Sequence, residues 1–148
     1  MVREFLVGST VSVVNIAIHA LVMTIVVRVA KARGAPARSH SSVLLIAVMI
    51  PTVSVLMLTH TVEVIVWALA YWIIGAAPPG TDLVYFAFVN YTTLGYGDIV
   101  PLAEWRLLGP ITAMNGVLLF GWSTAVIFEV LRRTLTQSVE ISTSQKFT

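Results

Sequence analysis

The chain has 148 residues, of which 57% are apolar and only 11% are charged, and its mean hydropathy is +0.91. This composition leaves too little polar surface to cover a soluble globule, so it excludes a soluble domain and predicts a membrane protein. The formal net charge of +2 comes without a basic patch laced with aromatic residues, so no nucleic-acid partner is expected.

The first predicted element is a transmembrane helix in residues 1–30, because residues 5–27 are mainly apolar and about 20 such residues cross a bilayer. Only Arg3 precedes this stretch as a basic residue, and no clear small-residue cleavage site is present. We therefore expect a retained anchor and not a signal peptide. Asn15 and His19, spaced by four, are expected to join this helix to its neighbours.

A basic linker rich in small residues follows in residues 31–42, and a second apolar stretch then fills residues 43–75. That stretch is too long for an upright span, so it must tilt, kink near Pro51 or begin with an interfacial turn. His60 and Glu63, three residues apart on this outer helix, share one face. Ionisable groups inside a membrane are costly and tend to be paired or functional.

The next element is predicted to be a short helix over residues 82–93, after a break at Pro78 and Pro79 and with Thr81 or Asp82 as its cap. About eleven helical residues extend roughly 17 Å, half of a bilayer, so this helix cannot span and must be re-entrant. Non-helical backbone that follows it at membrane depth has to be buried in protein or line water.

Residues 92–98 read Thr-Thr-Leu-Gly-Tyr-Gly-Asp, and we call them the filter segment. Gly95 and Gly97 flank Tyr96 and allow backbone dihedrals that other residues resist, so successive carbonyls can turn toward one axis. Aligned carbonyls replace the water shell of a potassium ion. The segment resembles the selectivity filter of the potassium channel superfamily. The resemblance covers about residues 52–132 and is specific only within the filter segment.

The resemblance implies that bound K⁺ ions are held within residues 93–98. The carbonyls of Thr93, Leu94, Gly95 and Tyr96, with the Thr93 hydroxyl, would coordinate the ions. Leu94 stands where valine is most often found, and because its carbonyl coordinates we expect a packing adjustment without loss of selectivity.

The same resemblance implies support around the filter segment. Gly97 and Asp98 would form its outer end, with Tyr85 as the aromatic partner of Asp98. Some members carry a buried carboxylate where this chain has Val89. Our hypothesis is that Glu63 supplies the missing carboxylate, and the alternative is a purely structural pairing with His60.

The last transmembrane helix is predicted over residues 107–133. Four of its residues recur every four positions and fall on one inclined stripe, which is expected to line the cavity: Gly116, Phe120, Thr124 and Phe128. Gly116 lies near the family's hinge glycine, although it and Gly121 could equally serve close helix packing. Phe128 is the candidate for a hydrophobic constriction. A short polar tail is expected over residues 134–148.

Orientation follows from the basic residues, since seven of the nine lie on one side of the predicted spans. By the positive-inside rule, that side is cytoplasmic. The N-terminus is then outside, the C-terminus inside, and the filter segment faces outward in a multi-pass cell-membrane protein. The seven residues are Arg28, Lys31, Arg33, Arg38, Arg132, Arg133 and Lys146.

The predicted fold is an all-α membrane protein with three transmembrane helices, a re-entrant pore helix and a filter loop. Four carbonyls per ion layer require each chain to join three identical subunits in the lipid bilayer. The function indicated is a potassium-selective channel with passive conduction, with the pore domain in residues 43–133. The first helix is expected at the periphery of that domain.

Two alternatives remain open at this level, a non-selective cation channel and a non-conducting assembly or regulatory subunit. An enzyme is not expected, because no nucleophile has a base at a plausible spacing. No arginine-repeat helix is present to sense voltage, so gating stays unassigned.

Overall fold

The computed structural model describes residues 1–32 and 41–144, which form four α-helices and one short 3-10 turn, without a strand in that part of the chain. The helices are α1 (Val2–Ala32), α2 (Ser41–Ile74), α3 (Leu83–Tyr91) and α4 (Leu108–Ser144), and the turn is Ala103–Trp105. Three helical segments are long and apolar enough to cross a membrane: Val2–Val29, Leu45–Ile74 and Ala103–Thr136. The predicted all-helical membrane fold is confirmed.

The helix ends differ from the sequence prediction mainly at the C-terminus. α4 continues to Ser144, so the predicted tail begins as a continuation of the last helix. Its cause is visible in the sequence, because neither glycine nor proline occurs after Gly121 to break the helix. Within α2, Pro51 lies inside a continuous helix and does not end it. Most of the predicted linker, with Arg33 and Arg38, lies outside the described residues, as does Lys146.

α1 packs against both α2 and α4, while α3 sits against α2 and α4. At the N-terminus of α1, the Arg3 guanidinium lies 4.0 Å from the centre of the Trp105 ring. The Glu4 carboxylate accepts a hydrogen bond of 3.0 Å from the backbone N–H of Leu107, just before α4. α1 is therefore fastened to the start of the last helix.

The buried core consists of two apolar clusters. The first surrounds α3 and includes Trp67, Tyr71, Phe86 and Leu108. The second joins the other halves of α1, α2 and α4 through Met23, Leu56, Val126 and Val130.

A layer of buried polar residues lies between the two clusters along each long helix. In α1 it is Asn15 and His19, which precede Met23; in α2 it is Glu63, and in α4 it is Asn115 and Ser123. Polar groups buried in this way require partners, so the layer identifies where specific contacts must form.

Candidate functional site

The filter segment is positioned by α3, which is too short to cross a membrane. Its nine residues extend about 14 Å, or half of a bilayer core. Asp82 caps its first turn, because its carboxylate accepts hydrogen bonds of 3.1 Å from the backbone N–H groups of Val84 and Tyr85. The helix ends at Tyr91, and the non-helical filter segment follows.

The filter segment has an alternating backbone. The φ angle is +61° at Thr93, +58° at Gly95 and +78° at Gly97, whereas the intervening Leu94 and Tyr96 have negative values. Thr93 is the only non-glycine residue with positive φ in residues 1–32 and 41–144, and a β-branched residue is strained there. Such strain persists where the surrounding structure imposes it, commonly at functional sites. Alternation of this kind lets successive carbonyls face one side.

The start of the filter segment is tied back to α3. The backbone N–H of Thr93 donates to the carbonyl of Asn90, and the N–H of Leu94 donates to that of Val89, both at 3.0 Å. The segment itself is exposed on a single chain, with Leu94 53% and Tyr96 67% accessible. The backbone is thus anchored at its base and open along its length.

The far end of the segment is held by Tyr85 and Asp98, which we call the exposed pair. The Tyr85 hydroxyl donates a hydrogen bond of 2.7 Å to Oδ2 of Asp98. This bond raises the pKa of the Tyr85 hydroxyl, because ionised tyrosine would lose the bond and face the carboxylate as a like charge. The pair thus joins the first turn of α3 to the last residue of the filter segment.

The near end is held by a second group of side chains, which we call the buried cluster: His19, His60, Glu63, Tyr91 and Ser123. The Tyr91 hydroxyl donates to Oε2 of Glu63. Nδ1 of His60 lies 2.9 Å from the same oxygen, and Nδ1 of His19 lies 2.8 Å from Oε1. Glu63 and His19 have no exposed surface. One tyrosine hydroxyl and two histidine nitrogens therefore surround the carboxyl group of Glu63.

Ser123 closes the buried cluster from α4. Its hydroxyl oxygen lies 2.9 Å from Nε2 of His60 and 3.4 Å from Nε2 of His19. Each histidine ring thus faces Glu63 with one nitrogen and Ser123 with the other. The cluster consequently links α1, α2, α3 and α4 through side chains alone.

An amide pair extends these contacts. Nδ2 of Asn15 donates to the backbone carbonyl of Glu63 and to Oδ1 of Asn115, both at 3.2 Å. The indole N–H of Trp67 donates to the same Asn115 oxygen at 3.0 Å. Asn15 thereby stitches helices together, as the sequence suggested, and it does so one turn from His19.

The structure divides the stripe predicted to line a cavity. Gly116 is buried, and a Cβ there would lie 2.0 Å from the carbonyl oxygen of Tyr91, so close packing accounts for this glycine. Phe120 packs on His60, with ring centres 4.4 Å apart, and on Tyr91. Thr124 and Phe128 are exposed. Gly116 and Phe120 therefore contact α3 or the buried cluster, and Phe120, which is 37% exposed, keeps accessible surface as Thr124 and Phe128 do.

Sequence reasoning placed His60 and Glu63 together but did not connect them with His19 or Ser123. The sequence did mark His19 and Ser123 as unusual, because each is a polar residue in a mainly apolar helix. What the sequence lacked was the partner, since His19 and Glu63 are 44 positions apart and Ser123 is 104 positions from His19. Glu129 does pair with Arg132 and Arg133 near the other end of α4.

Three helices are long and apolar enough to span a membrane, which defines a multi-pass membrane protein, and a half-length helix with a non-helical segment after it lies between the second and third of them. A family model described as "Ion channel" matches residues 59–133, about half of the chain. The chain belongs to this ion-channel family. No curated protein and no solved structure matches it. The matched segment begins about midway along α2, so α1 lies outside it.

Proposed function

We propose that the chain is one subunit of a potassium-selective channel that conducts passively through a central pore. The observation that carries the proposal is the alternating sign of φ from Thr93 to Gly97, directly after a half-span helix. The carbonyls of residues 93–96 and the Thr93 hydroxyl would replace the hydration shell of K⁺. The carbonyl end of α3 carries partial negative charge and points toward the base of this segment, which favours a cation there.

A single chain cannot complete such a site, and four identical chains around an axis would do so. Irregular backbone is not stable against lipid at membrane depth and has to be covered by protein or line water. On one chain the filter segment is exposed, and an open groove of about 330 Å³ runs beside it toward the start of α4. Four copies would cover both features and place four carbonyls in each ion layer.

Selectivity requires that the carbonyls stay at fixed positions, and we propose that the two ends of the segment are held differently. Asp98 would be fixed by Tyr85 and would concentrate cations at the mouth. Some members of the resembling family carry a supporting carboxylate at the position of Val89. Glu63 would take its place and act through Tyr91, because the Tyr91 hydroxyl donates to the Glu63 carboxylate. Leu94 would contribute its carbonyl and turn its side chain away from the ions.

The remaining parts of the pathway come from α4 and from membrane orientation. Thr124 would line the cavity below the filter, and Phe128, 66% exposed on one chain, would form the narrow inner constriction. The N-terminus of α1 and the start of α4 lie on one side, since Glu4 contacts Leu107. The distribution of basic residues favours the outside for that side and the cytoplasm for the end of α4.

The proposal is tested by bilayer recording of the purified protein under opposed potassium and sodium gradients. We expect a reversal potential close to the potassium equilibrium potential. A reversal potential that tracks both ions equally would identify a non-selective channel. Absence of current, with cross-linking that stops at a dimer, would identify a non-conducting subunit.

Adjacent threonines offer a matched control within the same segment. The Thr92 hydroxyl donates to the carbonyl of Phe88 at 2.7 Å and is already used by α3. The Thr93 hydroxyl is the one proposed to contact ions. Thr93→Val should therefore lower potassium conductance, whereas Thr92→Val should leave it close to wild type. Equal effects of the two substitutions would contradict the assignment of the innermost ion site.

A further inference from the structure

The buried cluster depends on a side chain from a helix that the family match does not include. His19 belongs to α1, outside residues 59–133, yet its Nδ1 lies 2.8 Å from Oε1 of Glu63. Neither side chain has exposed surface. An ionised carboxylate that is buried without a countercharge is strongly disfavoured, so a positively charged group that balances Glu63 has to lie in contact with it.

Several other charged groups of the described residues have partners elsewhere, and none of them contacts the Glu63 carboxylate. Towards the outer end of α1 and α4, the Arg3 guanidinium stacks on Trp105 and Glu4 pairs with the amino terminus. In α3, Asp82 caps the first turn, far from Tyr91 at the last. In α4, Glu129 pairs with arginines of the next turn. Among the described residues, His19 and His60 are the only basic side chains that contact the Glu63 carboxylate.

Ser123 makes it possible to count the protons. Both histidines direct Nδ1 at Glu63, and with Glu63 ionised both carry hydrogen there and donate to the carboxylate. Both direct Nε2 at the Ser123 hydroxyl, which has a single hydrogen and donates to only one ring. The other ring has to donate to Ser123 and is then protonated on both nitrogens. All these contacts are satisfied by one imidazolium, one neutral imidazole and one carboxylate, with no net charge.

The two carboxylate oxygens indicate which ring is charged. Oε2 of Glu63 accepts from Tyr91 and faces His60, whose Nδ1 also lies 3.0 Å from the Tyr91 hydroxyl. Oε1 faces His19 alone. Because a charge-assisted bond is strongest where the acceptor is not shared, the imidazolium is best placed on His19.

We propose that His19 is a positioning residue for the filter segment: as an imidazolium it keeps Glu63 ionised, and the carboxylate in turn holds Tyr91 at the base of the segment. This inference rests on the proposed function. Without a charged donor from His19 at Oε1, burial favours a proton on that oxygen of Glu63, and the neutral carboxyl group is a weaker acceptor for the Tyr91 hydroxyl. α1 would then be part of the selectivity machinery and not only an anchor.

The test compares three substitutions in α1 of the full chain. His19→Leu removes donor and charge, whereas His19→Asn keeps an N–H near the position of Nδ1 and removes the charge together with the Nε2 contact to Ser123. Thr24→Val is the control, because the exposed Thr24 hydroxyl donates only to the carbonyl of Ala20 in its own helix. Potassium-to-sodium permeability ratios are recorded for each, and infrared spectra distinguish the carboxylate of Glu63 from the protonated acid, with Glu63→Gln as the reference that assigns the band.

We expect both His19 variants to show the protonated-acid band and to lower the permeability ratio by about tenfold, the effect of weakening one charged hydrogen bond. The Thr24 variant should match wild type in both measurements. An ionised Glu63 in His19→Asn together with a wild-type permeability ratio would overturn the proposal. If the wild type itself does not select potassium, the proposed function is wrong, and the infrared comparison still decides whether His19 balances Glu63.

Discussion

The exposed pair and the buried cluster use the same chemistry at opposite ends of one short segment. In each, a tyrosine of α3 donates its hydroxyl to a carboxylate, Tyr85 to Asp98 and Tyr91 to Glu63. Asp98 is exposed to solvent on a single chain, whereas Glu63 has no accessible surface. Water competes for the first bond and replaces it when it breaks, but nothing replaces the second.

This difference indicates a division of labour. Breaking a buried charged pair by removing one partner costs about 3–5 kcal/mol, because the remaining group stays buried without compensation. The buried cluster is therefore suited to fix backbone position. The exposed pair is suited to hold a negative charge near the mouth, where it acts on ions through a screened field.

The strongest way to break the buried end is to move the backbone that Tyr91 occupies. Gly116→Ala would place a Cβ 2.0 Å from the Tyr91 carbonyl oxygen, a backbone atom that cannot move aside cheaply. We expect a loss of about 3 kcal/mol of stability and loss of the assembled channel, measured by thermal unfolding and size-exclusion chromatography in detergent.

Gly121→Ala is the matched control in the same helix, because a Cβ there meets nothing within 4 Å. It should unfold no earlier than wild type, since alanine favours helix over glycine by up to about 1 kcal/mol. Equal damage from the two substitutions would mean that Gly116 does not act through its contact with Tyr91.

A milder perturbation of the buried end removes one oxygen. Tyr91→Phe leaves the ring on Phe120 but removes the hydroxyl that donates to Glu63. We expect the potassium-to-sodium permeability ratio to fall about tenfold, the cost of one charged hydrogen bond. Glu63→Gln should have a similar effect. Unchanged selectivity in both variants would show that the filter does not need this support.

The sequence predicted those features that depend on neighbouring residues. Continuous apolar stretches predicted three spans, and both the all-helical fold and the channel family are confirmed. Asp82, one of the two residues that the sequence offered as a cap, caps α3. Tyr85 contacts Asp98, the partner that the family resemblance implied for it. The polar composition after residue 133 predicts a tail, whereas α4 continues to Ser144, because no residue there breaks a helix.

The buried cluster was not predictable to the same extent. Apolar periodicity does not state which faces of α1 and α4 meet, so His19 and Ser123 had no visible partner. Gly116 and Gly121 were equivalent as packing glycines in the sequence, and only the approach of the Tyr91 backbone separates them. Such contacts depend on how four helices are placed relative to one another, and no short segment of the sequence encodes that placement.

The exposed end should respond to charge and salt more than to shape. Asp98→Asn keeps an oxygen for the Tyr85 hydroxyl but removes the negative charge at the mouth. We expect potassium conductance to fall by less than about threefold at low salt and to approach wild type near 1 M salt, where the screening length is about 3 Å. A loss of selectivity comparable with that of Tyr91→Phe would contradict the proposed difference between the two ends.

The smallest expected effect is a response of the exposed pair to alkaline pH. The bond to Asp98 raises the pKa of Tyr85 above its ordinary value of about 10, so neutral tyrosine and its bond persist through that pH. The contribution of the bond is fully present below the ordinary value and is lost as pH rises through the raised one. Conductance of wild type should therefore change only at strongly alkaline pH, and Tyr85→Phe should lack that step. A step below pH 10 that Tyr85→Phe abolishes would show that Asp98 does not hold the tyrosine in its neutral form.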